Sequence, residues 1–496
     1  MTRRQAAWSG FGWGCVGGLA LIALMYSTST LLGLKPLPQV VNEPLLSLMP
    51  GFVFGFLIDT LQHAGKVVEE VGLIGLMLVL LGLLGAASAV ANLRWTSPWI
   101  PFAFAAVGWA VVVALLLPVA GLGLLGLNDG PATPLTWAAL FAIYAVVLQY
   151  GGTSPAEVDL GRRRVLAYVP LGIAAASVAA LGVGLVPGWY RAIFRPPESG
   201  LRGISPVITP VRNFYIVSKN FADPTVDGRS WKLRVGGRAG KQLSLTLDQL
   251  RALPATEEYV TLECISNNVG GPQMSTGKFT GVPLRDLVTK VEPRADANWV
   301  AFKAHDGYTE SLPVTFVMET PVILVAYLLD DAPLPMGHGY PARILIPGRY
   351  GMKGPKWLDS IDLVKDEAGG YWEQQGWDHN AVVKTMSRFD VPGDGDIVKI
   401  GAIEVGGVAY AGTRGIGKVE YSADGGSSWN AADFGAPLSP FTWVVWRAVW
   451  SPAAHGAYTL KVRATDGTGS VQDSSNAPSY PSGSSGYHTI HVNVSG

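Results

Sequence analysis

Tyr259-Val-Thr-Leu-Glu-Cys264-Ile-Ser-Asn-Asn-Val-Gly270 reads as a strand that ends on a cysteine and opens into a polar loop. A cysteine leaving a strand this way can present its sulfur in a pocket. A thiolate is a soft, strongly donating ligand suited to a high-valent transition metal. The same residue type also suits a small buried core position, so the surrounding sequence has to decide between the two.

Downstream, the segment from His338 to Lys356 gathers His338, Arg343, Arg349, Lys353 and Lys356 among glycines that permit close backbone approach. Such a set suits an anionic ligand, because fixed cationic donors make charge-assisted hydrogen bonds to phosphate. Around these segments the chain alternates with period two. Trp231–Val235, Ala342–Ile346 and Lys418–Ser422 read as further strands. Helices are sparse: Thr246 is placed to cap a short one reaching Leu253, and another covers Leu284–Lys290. From about residue 390 the strands become regular and their turns glycine-rich, which predicts an immunoglobulin-like sandwich.

The first 190 residues differ in kind. They hold eight basic and seven acidic side chains, which leaves 59 of the 74 charged residues to the remaining 306. Apolar runs near 12–34, 72–92, 99–119, 135–150 and 166–187 are each long enough, with their flanks, to cross a hydrocarbon core of about 30 Å. The stretch Leu45–Leu61 is interrupted by Pro50 and Asp59 and is expected to be interfacial or re-entrant. With five spans, Arg3, Arg4, Arg94 and Arg162–Arg164 all fall on one side. The positive-inside rule makes that side cytoplasmic and puts everything after about 188 outside.

Arg162-Arg-Arg-Val-Leu166 ahead of an apolar run resembles a twin-arginine export signal, which serves cargo folded around its cofactor before export. Plain obedience to the positive-inside rule would place the same arginines there. His63 is the only histidine before 305, so no pair of axial haem ligands is expected in the bundle, and no haem in this chain. A formal net charge of zero argues against nucleic acid as a partner. Two cysteines, Cys15 and Cys264, make no disulfide scaffold.

Residues 212–366 resemble the molybdopterin domain of the sulfite oxidase family. The likeness is carried by Arg212-Asn-Phe-Tyr215, Trp231-Lys-Leu-Arg-Val-Gly-Gly237, Thr261-Leu-Glu-Cys264, Gly281-Val-Pro-Leu284, His338-Gly-Tyr-Pro-Ala-Arg343 and Pro347-Gly-Arg-Tyr-Gly-Met-Lys-Gly-Pro-Lys-Trp357, in that order. Val419–Trp429 and Arg463–Gly467 are similar to the family's immunoglobulin-like dimerisation domain. The resemblance implies a molybdenum-molybdopterin cofactor with Cys264 as catalytic metal ligand. It places Asn213, Tyr215, His338, Arg343, Lys353 and Lys356 around the pterin and its phosphate. It further implies a small-molecule substrate, an electron-transfer partner and a possible homodimer.

Departures from the family pattern bear on the substrate. Val217 stands where sulfite oxidases carry an arginine, Asn268 and Val269 where they carry a basic pair, and Trp377 where spacing puts their active-site tyrosine. Without guanidinium groups an anionic substrate loses its clamp. The segment Arg349–Lys356 leans instead towards the family's methionine-sulfoxide-reductase branch. His305, Asp306 and Trp377 are candidates for the substrate side.

The expectation is a multi-domain, multi-pass cell-membrane protein with an extracytoplasmic catalytic domain. It has an α-helical transmembrane bundle (1–188), a linker (189–211), an α+β molybdopterin domain (212–385) and an all-β immunoglobulin-like sandwich (386–496). Its expected reaction is two-electron oxygen-atom transfer on a small sulfur or nitrogen compound. Sulfite dehydrogenation is the neighbouring alternative. A non-catalytic tethered binding or assembly protein is the other, and it would need neither Cys264 nor the basic cluster.

Overall fold

The structure is a computed structural model that describes residues 2–32, 36–48, 51–127, 130–151, 203–220 and 223–496. The chain divides into two compact units, one drawn mainly from residues before 196 and the other mainly from 196–496. The expected span at 166–187 and the arginines 162–164 lie outside the described residues.

Helices Arg3–Leu32, Leu37–Leu48, Gly51–Trp95 from Leu61 onward, Ile100–Val111 and Thr133–Gly151 build the first unit. A π-helical turn at Val112–Leu116 runs into Leu117–Val119. Pro118 explains the turn: it supplies no N–H and its ring crowds the carbonyl four residues back, so the ladder widens there. The first and third helices approach backbone to backbone, for a Cβ on Gly85 would lie 2.4 Å from the Gly10 carbonyl oxygen and 2.7 Å from the Gly14 Cα. Small residues at such spacing let apolar helices pack closely where no hydrophobic drive separates them from lipid.

Four helical stretches, Arg3–Thr28, Val68–Trp95, Ile100–Val119 and Thr133–Gly151, are long and apolar enough to cross a membrane. They coincide with four of the five runs read from the sequence. The described residues of the stretch Leu45–Leu61 are helical, the end of Leu37–Leu48 and the start of Gly51–Trp95. Pro50 precedes that third helix, and Asp59 and Gln62 interrupt its apolar run at little helical cost. Its 45 residues extend roughly 68 Å at the helical rise of about 1.5 Å per residue, over twice a hydrocarbon core.

The second unit opens with β1 (Lys232–Gly237), β2 (Leu243–Thr246), β3 (Thr256–Glu263), β4 (Met274–Pro283), β5 (Trp299–Ala304), β6 (Thr309–Pro313), β7 (Leu324–Leu329), β8 (Ala332–Pro333), β9 (Arg343–Leu345) and β10 (Leu358–Val364). One sheet runs β2-β1-β10-β5-β6 and another β3-β4-β7-β8, with β9 on β7. Between them lies a core that includes Leu233, Leu284, Val300, Ile344, Trp357 and Ile361. Thr246 forms a capping box with Gln249 at the start of helix Leu247–Arg251, which satisfies two end donors reciprocally. Helix Leu284–Lys290 has the expected bounds.

The C-terminal strands are β11 (Met386–Val391), β12 (Ile397–Lys399), β13 (Ile403–Tyr410), β14 (Ile416–Ser422), β15 (Asn430–Phe434), β16 (Val444–Trp450), β17 (Gly456–Asp466) and β18 (His488–Ser495). They form one hydrogen-bonded path, β11-β13-β16-β15-β14-β17-β18-β12. Alternate residues such as Leu460, Val462 and Ala464 turn into a common core with Val405, Trp446 and Val492.

Candidate active site

Cys264 is the residue that follows β3, and its neighbours fix the turn it opens. Its backbone N–H donates to the Gln273 carbonyl (3.0 Å), and its own carbonyl accepts from Asn267 N (3.0 Å). The sulfur lies 3.0 Å from Ser266 Oγ, which in turn donates to Gln273 Oε1 at 3.2 Å. Half-buried and held on both sides, the thiol has a defined direction.

Glu263, just before it, is buried. Its Oε1 accepts from Asn267 Nδ2 at 3.1 Å, while Oε2 has no hydrogen-bond partner among the described residues. Burial raises its carboxyl to about 7, against the opposing pull of the Asn267 hydrogen bond and the Arg388 charge. Glu263, Asn268, Val269, Tyr350 and Gln472 help line a small polar cavity of about 10 Å³, room for one water.

A second cluster assembles around two glycines. A Cβ on Gly339, whose φ is +106°, would stand 3.0 Å from Lys356 Cβ and 3.1 Å from Arg343 Cβ. A Cβ on Gly351 would stand 2.9 Å from the Tyr215 hydroxyl and 3.5 Å from the Glu263 carbonyl oxygen, which brings this cluster next to the cysteine strand. Arg343 is buried on β9 and donates from Nη1 to the His338 carbonyl and from Nη2 to the Gly354 carbonyl, both at 3.3 Å. Its Nε has no acceptor and the guanidinium makes no ion pair among the described residues. Burial pulls it down to about 10.

The remaining expected residues are placed as follows. His338 is buried with its ring edge-on to Phe214 at 5.3 Å, and Phe214 stacks on Tyr215. Tyr215 N donates to Ser275 Oγ at 3.0 Å, and Asn213 Oδ1 accepts from Arg212 Nε at 3.4 Å. Lys356 Nζ donates to Val217 O (3.0 Å), Ser218 Oγ (2.7 Å) and Gly337 O (3.0 Å), and lies 4.4 Å from the Trp357 ring centroid. Lys353 stands apart: its ammonium is committed to Glu310 Oε1 at 2.6 Å and to Glu373 Oε1, all three side chains buried.

On the candidate substrate side, His305 Nδ1 pairs with Asp359 Oδ2 at 3.1 Å near the surface. Asp306 is buried and braces its own loop, accepting from Asn220 Nδ2 and Tyr308 N, both at 3.0 Å. Trp377 is buried edge-on to Tyr480 (5.3 Å), and its Nε1 donor meets no acceptor among the described residues. Val217 packs beside the cluster around Phe214 and brings no charge. Sequence reasoning missed Glu263, Glu310, Glu373, Arg388 and Lys219, the last buried with its ammonium 4.9 Å from the Tyr371 ring. Nothing in a single sequence separates such buried charges from surface ones.

The donor set suits a molybdenum-pterin group. Cys264 supplies the soft ligand, and a buried arginine with an idle Nε and no carboxylate calls for an anion, since an unpaired buried cation is costly.

Comparison with known proteins agrees. A family model described as an oxidoreductase molybdopterin binding domain matches residues 220–372, and one described as a Mo-co oxidoreductase dimerisation domain matches 379–494. Mitochondrial sulfite oxidase of Mus musculus is 28% identical over 350 residues, 60% of this chain and 63% of its own. That of Homo sapiens is 27% identical over 58% of this chain and 62% of its own, so the chain spans somewhat under two thirds of these relatives. A subunit named for protein-methionine-sulfoxide reductase in Azospira oryzae is 30% identical over 31% of this chain and 56% of its own. The sulfane dehydrogenase SoxCD from Paracoccus pantotrophus shares the fold with a TM-score of 0.52 and 20% identity, over 60% of this chain and 83% of that one.

Proposed function

Because the chain belongs to the sulfite-oxidase-type family of molybdopterin-dependent oxidoreductases, we propose that it catalyses two-electron oxygen-atom transfer on a small sulfur or nitrogen compound. The observation that carries this reading is Arg343, a buried guanidinium with an idle donor and no protein anion beside it, in the same cluster as His338 and Lys356.

In this reading Cys264 ligates molybdenum, and Arg343, Lys356, His338, Tyr215 and Asn213 hold the pterin and its phosphate. Lys353 braces their loop from behind, since its charge is spent on Glu310 and Glu373. The bound group supplies the oxygen transfer and the redox change. The chain's residues orient the thiolate through Ser266 and Gln273 and keep Tyr215 against Gly351. Val217, Asn268 and Val269 leave no guanidinium clamp for an anion, and the idle Trp377 Nε1 offers one neutral donor. Together they favour an uncharged oxygenated ligand over sulfite, the second reading.

The apolar helices serve as a multi-pass membrane anchor, with the catalytic domain extracytoplasmic and its electrons exchanged with an external partner. Outward-facing Leu76, Leu80 and Leu83 are each more than half exposed, as a lipid-facing surface would be. The domain limits read from the sequence, the immunoglobulin-like sandwich as the arrangement of the eight-strand path, homodimerisation through it and twin-arginine export belong to the same proposal. Anaerobic assay of the purified holoprotein against sulfoxides, N-oxides and sulfite tests it. Turnover of an uncharged oxide is expected, and turnover of sulfite alone would favour the second reading.

A further inference from the structure

Behind the cofactor loop lies a group of charges that cofactor binding does not use. Lys353 Nζ bonds Glu310 Oε1 at 2.6 Å, Glu373 Oε1, and more weakly the Ser311 carbonyl at 3.5 Å. Glu310 and Glu373 are 0% and 1% exposed, and Lys353 4%. Two carboxylates against one ammonium leave an unscreened negative charge in the interior, which is costly unless a proton joins them.

The group has an outlet. Glu373 Oε2 lies 3.5 Å from His379 Nδ1, which lies 3.5 Å from Glu367 Oε1, and the imidazole is 63% exposed. The polar atoms of Glu367, Glu373 and His379 all fall within 4.8 Å of one another. A metal ion there would face the ammonium already seated on Glu373, so the arrangement suits proton exchange better than cation binding.

It also has an inner end. Lys353 closes the turn Gly351–Lys353, whose Gly351 stands against the Tyr215 hydroxyl and the Glu263 carbonyl and whose neighbour Gly354 is held by Arg343. Tyr308, beside Glu310 and Glu373, donates to the Met352 carbonyl at 2.6 Å.

We infer that Glu310, Lys353 and Glu373, opening to solvent through His379 and Glu367, form the route by which the active site exchanges protons with the medium. The inference rests on the proposed oxygen-atom transfer. In that reaction an oxide plus two electrons and two protons gives the reduced compound plus water, or the reverse, with the electrons passing singly to or from an external one-electron carrier. Two protons therefore enter or leave the active site in each turnover. The groups facing Glu310 are Lys353, Glu373 and Tyr308, with Asp306 and Tyr371 next beyond Tyr308. Burial pushes the Glu310 carboxyl up to about 8, with Glu373 adding to the rise against the pull of Lys353. A carboxyl in that range gains and loses a proton near neutrality, and an imidazole both accepts and donates one.

Stopped-flow reduction of the holoprotein by reduced methyl viologen, in unbuffered medium with a pH-indicator dye, reads proton uptake directly. His379→Ala, a surface change, should slow uptake about tenfold relative to electron entry, and added imidazole should restore it. Glu310→Gln, at unchanged molybdenum content, should slow it without imidazole rescue. Proton uptake at the wild-type rate in either variant overturns the route. A wild-type preparation from a cofactor-competent host that contains no molybdenum, or accepts no electrons, defeats the functional reading itself, which is a separate result.

Discussion

Arg388 Nη1, on β11, donates to the carbonyl oxygen of Gly271, 2.7 Å away, in the loop that begins at Cys264. The same guanidinium bonds Asp390 Oδ1 at 2.9 Å and Ser205 Oγ at 3.1 Å, and Ser484 Oγ reaches the Asn267 carbonyl at 2.7 Å. The loop that begins at Cys264 is thus held by β11 and by Ser484, ahead of β18, as well as by its own neighbours.

Arg388→Met should therefore loosen Cys264 as well as destabilise the fold. Removing one partner of a buried ion pair costs about 3 to 5 kcal/mol. Thermal unfolding should show that loss, and iodoacetamide should alkylate Cys264 of the apoprotein faster than in wild type. An unchanged alkylation rate would show that the loop holds itself.

Arg343→Met separates folding from cofactor capture. In the apoprotein the buried guanidinium is unpaired, so an apolar side chain of similar length should leave the melting temperature unchanged or raised. Pterin retained through purification should fall severalfold. A large loss of apoprotein stability with pterin retained would contradict the role assigned to Arg343.

Stability should depend on pH in two opposed ways. Glu310, raised to about 8, binds a proton in the folded state that the unfolded chain has already released, so its contribution to stability falls as pH rises from about 4.5 through 8. His488 is lowered to about 4 by burial and the Arg388 charge, so its contribution is present above about 6.5 and is lost as pH falls through 4. Denaturant melts across this range should show Glu310→Gln reducing the alkaline decline to the share left by Glu263, which burial raises to about 7, and leaving the acid one.

Much of this was legible in the chain. The strand before Cys264, the cap at Thr246 and the helix Leu284–Lys290 depend on neighbours within a few residues, and all three appear, although Val260–Glu263 are buried on both faces of the strand rather than alternating. His338, Arg343 and Lys356 could be grouped because they share one short glycine-rich segment. The buried charges could not: Glu310 and Lys353 are 43 residues apart, Arg388 and Gly271 117, and side chains of these types are ordinarily exposed. The helix Gly51–Trp95 was obscured because its first turns carry polar residues that break an apolar run without breaking a helix.

The proposed topology has the amino terminus inside and the carboxyl terminus outside, from the side on which Arg3, Arg4 and Arg94 fall. A reporter that works only outside the cytoplasm, fused after Gly496, should be active. Activity of a cytoplasm-only reporter at the same position would reverse the anchor.

Metal analysis of the purified protein, expressed in a host that makes the pterin cofactor, tests the central claim most directly. Wild type should carry about one molybdenum per chain, and Cys264→Ser should lose turnover while pterin at least partly remains, because Arg343 and Lys356, proposed to hold the pterin, are separate from the sulfur. A wild-type preparation without molybdenum would contradict the account.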